Sequence, residues 1–123
     1  MLKTILYIAI GGAIGSVFRF LINTFVGKFW LNPFPLATFI INVIGCFLIG
    51  LFIGILTKNN LLEGNLKWFL MTGFCGGLTT FSTFGAENIS LLQNNQTPLA
   101  VAYTISSVVL GILAVWFGLF VTK

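Results

Sequence analysis

Residues 73–84, GFCGGLTTFSTF, lie within an apolar run that carries no charge from Trp68 to Ala86, long enough to enter a bilayer. The middle of that run is a poor helix. Gly76 and Gly77 hold the backbone loosely, and Thr79, Thr80, Ser82 and Thr83 crowd hydroxyls and β-branches into about one turn. A helix broken at mid-membrane leaves N–H and C=O groups without partners, at several kcal/mol each in hydrocarbon. Such a break persists only where protein covers it, water reaches it or an ion uses it. Two readings follow: an ion site, or a flexible, close-packed helix crossing.

The whole chain suits a bilayer. It has 123 residues, 58% hydrophobic and only 7% charged, against about 25% charged in soluble domains. At ~20 apolar residues per helical span, the expectation is an all-α membrane protein with four transmembrane helices in a single transmembrane domain, 1–123. The expected spans are 4–27, 36–57, 68–92 and 99–122, the third of them broken at mid-membrane. That leaves no room for a soluble catalytic domain, and no enzyme is expected. There is no His, and Glu63 and Glu87 are the two carboxylates, so Ser-His-Asp, Cys-His and His-metal arrangements cannot be built. Cys46 and Cys75 show no CxxC spacing and read as small packing residues. A net charge of +4 spread over six Lys and Arg makes no nucleic-acid patch.

Outward from the central stretch, each span adds a few polar or small residues. In the first, Gly11 and Gly15 form a GxxxG pair that lets another backbone approach. No A-x-A-like cleavage site follows the apolar start, so a retained helix is expected. Arg19 lies roughly 22 Å along from Thr4. It either snorkels to the interface or lines a wet vestibule that attracts anions. After a turn at Trp30, Asn32, Pro33 and Pro35, the second span sets Thr38, Asn42, Gly45 and Ile49 on one face, with a second GxxxG pair at Gly50 and Gly54. Asn42 either makes an interhelical hydrogen bond or turns its NH₂ toward a passing anion.

Past the break, Phe81 and Phe84 are three residues apart and share a face if the helix resumes. Such rings usually face lipid or core, but their electropositive edges can also cradle a small anion. Glu87 follows one turn later, as an intramembrane functional group or a structural hydrogen-bonding one. In the fourth span, Tyr103, Ser107, Gly111, Ala114 and Gly118 line one small-to-polar stripe, which can guide an ion or bond its own backbone. Four spans put both termini on one side, together with Lys3, Lys58, Lys67 and Lys123, against Lys28 and Arg19 on the other. This bias is weak and places the termini in the cytoplasm.

Three segments, GGAIGSVFRF (11–20), ATFIINVIGCFLIG (37–50) and GFCGGLTTFSTF (73–84), together resemble the Fluc/CrcB fluoride channels, in order on the first three spans. The resemblance implies an antiparallel dimer with two pores in a bacterial inner membrane, formed with itself or with an oppositely oriented homologue. It implies a structural sodium ion at the dimer centre, held by the backbone carbonyls of Gly76 and Thr79. It puts the pore asparagine at Asn42, the paired pore phenylalanines at Phe81 and Phe84, the vestibule arginine at Arg19 and the acidic residue at Glu87. Tyr103 and Ser107 match the fourth-helix positions. Ser16 stands where the family often has Ala, and Ala37 where Gly is usual; both are exchanges between small residues.

The expected partners are thus fluoride, lipid and a second subunit. A dry pore must replace fluoride's water shell with donors: Asn42, the hydroxyls of Thr38, Thr80, Ser82, Tyr103 and Ser107, and the edges of Phe81 and Phe84. With only Glu87 able to carry a proton, a passive electrogenic channel that lowers toxic cytoplasmic fluoride is expected rather than a coupled exporter. The alternatives are a small multidrug-type exporter, which needs a first-span carboxylate that is absent, and a non-transporting assembly subunit.

Overall fold

The computed structural model describes residues 1–123 and is helical almost throughout. Helix α1 spans Leu2–Phe29 and α2 spans Leu36–Lys58. Helix α3 is one run, 65–78, made of Asn65–Lys67, Trp68–Cys75 and Gly76–Leu78, with π winding over the central eight residues. After a break at Thr79 and Thr80, α4 spans Phe81–Gln93 and α5 spans Thr97–Val121. Helices α1, α2 and α5 are each long and apolar enough to cross a membrane. Over residues 68–92, where a third span is expected, the chain forms two shorter helices, α3 and α4, that meet at the two threonines. Its π winding was not expected from sequence; i→i+5 turns are rare and concentrate at functional sites.

Two tight helix pairs build the frame, α1 with α3 and α2 with α5. In the first, Gly11 and Gly15 interlock with Gly73 and Gly77. A Cβ on Gly15 would overlap the Phe74 carbonyl oxygen, and one on Gly77 would fall 3.0 Å from Gly12 Cα. In the second, a Cβ on Gly50 would overlap the Val115 carbonyl oxygen. Backbone-to-backbone contact of this kind is what lets helices associate where lipid removes the hydrophobic drive. Both GxxxG pairs therefore act as packing surfaces.

The helix ends have local causes. Asn60 and Asn95 take left-handed φ of 57° and 60°, a region that Asn tolerates. Each closes a Schellman motif: Leu61 N–H donates to Leu56 O at 2.8 Å and Asn60 N–H to Thr57 O at 3.2 Å, and Gln96 and Asn95 repeat this on Leu91 and Leu92. The Trp30 indole N–H donates to Phe34 O at 2.8 Å and closes the α1–α2 turn. Only 15 residues are buried. Large apolar side chains such as Phe20, Trp116 and Phe120 point outward instead, as lipid-facing helices require.

Candidate functional site

The site begins where α3 stops. Thr79 (φ −82°, ψ 158°) and Thr80 (φ −149°, ψ 122°) are extended, so the helical ladder is interrupted between the half-helices. Thr79 finishes α3: its N–H and Oγ1 both donate to Cys75 O, at 3.0 and 2.8 Å. Its methyl occupies the space left by Gly45, where a Cβ would overlap it. Thr80 starts α4 as its N-cap, Oγ1 accepting from Thr83 N–H at 3.2 Å. The backbone of Thr80 is satisfied from α2. Its N–H donates to Asn42 Oδ1 at 2.8 Å, and its C=O accepts from Asn42 Nδ2 at 3.1 Å. Asn42 is thus an interhelical hydrogen-bonding residue, with one amide hydrogen left over.

Arg19 crosses to the same break. Its Nε donates to Gly77 O at 3.1 Å, which puts a positive charge on the C-terminal turn of α3, where the helix dipole favours cations. Glu87 sits on α4 between two hydroxyls. Thr38 Oγ1 donates to Oε2 and Tyr103 Oη to Oε1, both at 2.8 Å. Thr38 and Tyr103 are buried, so these three side chains tie α2, α4 and α5 together.

A cavity of about 360 Å³ opens beside the break. Of the expected site residues, Asn42, Gly76, Thr79, Thr80, Phe81, Phe84 and Ser107 line it. Thr38, Tyr103, Glu87 and Arg19 do not, and Ser82 lies next to it, its Oγ 3.4 Å from Thr80 Oγ1. Sequence reasoning missed Met71, Cys46 and Cys75 as lining residues; nothing in their spacing marks them. No carboxylate lines the cavity. The buried Ser107 Oγ has no hydrogen-bond partner, an uncommitted donor among the lining residues. The Phe81 and Phe84 rings lie 5.8 Å apart, and Phe84 is 4.9 Å from Tyr103. These rings lead from the cavity toward Glu87, which also lines a second cavity of about 290 Å³ beside the α1–α2 turn.

The chain lacks any group of three His, Cys, Asp or Glu side chains fit to hold a metal. A cation at the break would therefore need backbone oxygens. Gly76 and Thr79 stand at the carbonyl-rich end of α3, and a Cβ on Gly76 would meet nothing nearer than 3.8 Å. Its bareness is not explained by packing within the chain.

The family model described as CrcB-like protein, Camphor Resistance (CrcB), matches residues 6–119. A protein of Flavobacterium psychrophilum is 52% identical, over 99% of this chain and 98% of its own length. One from Campylobacter fetus is 46% identical over 98% and 94%, and one from Azobacteroides pseudotrichonymphae 43% over 100% and 98%. All three carry the name fluoride-specific ion channel FluC. With nearly its full length matched by the family model and by these relatives, and with the threonine break in place, this multi-pass membrane chain belongs to the CrcB-like family.

Proposed function

We propose that this chain forms a fluoride-selective channel, through which fluoride leaves the cytoplasm passively and electrogenically across a bacterial inner membrane. One observation carries the reading: the break at Thr79–Thr80 opens on a cavity that gathers Asn42, Phe81, Phe84 and the unpaired Ser107. The relatives' shared name supports the choice of ion. A strongly hydrated anion entering low dielectric needs donors in place of water. The spare hydrogen of Asn42, the hydroxyls of Ser107, Thr80 and Ser82, and the ring edges of Phe81 and Phe84 are such donors. Thr38 and Tyr103 border the path through Glu87. The absence of a carboxylate from the cavity wall favours passive flow over proton coupling.

In this reading α3 and α4 together make the third of four spans, and the working unit is an antiparallel dimer with itself or with an oppositely oriented homologue. Phe81, 83% exposed, and the bare cavity mouth favour a second subunit covering them. The carbonyls of Gly76 and Thr79 would then hold a structural sodium ion, whose charge offsets the cost of bringing an anion nearby. Arg19, bound to Gly77, adds positive charge on the same side. A fluoride-sensitive bacterium lacking its own fluoride export provides the test. Expression of this chain restores growth in fluoride; unchanged sensitivity with the protein present in the membrane contradicts the reading.

A further inference from the structure

Helix α4 carries both phenylalanines of the cavity wall, yet it is weakly embedded in the chain. Leu91 is its one buried residue. What attaches it to α2 is polar. Asn42 holds the backbone of Thr80 by two bonds, and Thr38 holds the Glu87 carboxylate by one. Thr38 and Asn42 are four residues apart and share one face of α2. Phe81 and Phe84 lie in sequence between the two attachment points.

An asparagine amide offers one acceptor and donors on a single planar group, the complement of one residue's backbone. Thr80 is where that complement is needed, because its extended conformation takes the N–H away from the helical ladder. We propose that Asn42 is a positioning residue: by latching the backbone of Thr80 it sets the place of α4, and with it Phe81 and Phe84. Thr38 is the second point of the dock and acts through Glu87. For its effect on flux, this proposal rests on the channel reading; its effect on the backbone does not.

The test is hydrogen–deuterium exchange on the full chain in liposomes without fluoride, paired with fluoride efflux. Asn42→Leu removes both bonds at similar size. It raises exchange over 80–84 roughly three- to tenfold, leaves exchange at the α1–α3 contact unchanged, and lowers efflux. Asn42→Asp keeps an acceptor for Thr80 N–H but loses the donor, and shows a smaller rise. Reduced efflux with wild-type exchange over 80–84 would overturn the proposal and leave Asn42 acting on the anion through its spare hydrogen alone. If Asn42→Leu loosens the whole chain, Thr38→Val decides: faster exchange confined to α4 supports the dock, and wild-type exchange there overturns it. A silent wild type with the expected exchange pattern faults only the transport reading.

Discussion

The guanidinium of Arg19, on α1, donates through Nε to the carbonyl of Gly77, the second-last residue of α3, at 3.1 Å. This bond satisfies a carbonyl in the last turn of α3, where a helix leaves its C=O groups without intrahelical partners. It also opposes the negative end of the half-helix dipole, an effect worth ~0.3–2 kcal/mol. Arg19→Gln is expected to lower thermal stability in detergent by about 1–2 kcal/mol. Arg19→Lys, which keeps the charge and loses the fixed fork, should fall between. Equal melting of all three proteins would return Arg19 to a snorkelling role.

The glycines divide by what surrounds them. Gly15 and Gly77 press on backbone across the α1–α3 contact, whereas a Cβ on Gly85 would meet nothing within 4 Å. Gly15→Ala and Gly77→Ala are each expected to cost about 1–3 kcal/mol, as overpacking does. Gly85→Ala should leave the fold of the chain intact. Comparing melting curves in detergent checks this, and a Gly15→Ala protein as stable as wild type would show that α1 and α3 can slide apart without loss.

Ser107 separates function from folding. Its buried Oγ has no partner, so removing it should leave stability unchanged or raise it by up to about 1 kcal/mol. If the hydroxyl serves a passing anion, Ser107→Ala lowers fluoride flux all the same. A loss of flux together with a loss of stability would instead mean that the hydroxyl is bonded structurally.

Glu87 predicts coupling. Thr38 and Tyr103 reach its two oxygens from different helices. Thr38→Val and Tyr103→Phe are each expected to cost about 1–2 kcal/mol, and the double variant should depart from their sum by at least about 0.5 kcal/mol. Strict additivity in a denaturation series would show that the two hydroxyls act independently.

Much of this was legible in sequence because composition and local chemistry carried it. The apolar runs located α1, α2 and α5, and the loose glycines and crowded hydroxyls of 76–83 located the stretch within which the helix breaks, at Thr79 and Thr80. Two Asn-Asn pairs, 59–60 and 94–95, end α2 and α4 through left-handed turns; their sequence alone had marked only polar links. Partners were harder to foresee. Residue spacing placed Thr38, Asn42, Tyr103 and Ser107 on helix faces, but a face does not state a depth or a direction across a gap. So Thr38 and Tyr103, expected beside the ion, meet on Glu87, while Ser107 faces the cavity. Asn42 spends most of its amide on the Thr80 backbone, a bond set by tertiary packing. The π winding of Trp68–Cys75 has no local signal of its own beyond the single Gly73.

The most direct measurement is fluoride efflux from liposomes containing this chain, followed with a fluoride electrode and triggered by a potassium ionophore. The account predicts rapid efflux only when the ionophore carries compensating charge, with no pH gradient, no chloride leak, and a marked loss in Phe81→Ala and Phe84→Ala. Efflux that requires a proton gradient, or that survives loss of both rings unchanged, would contradict it.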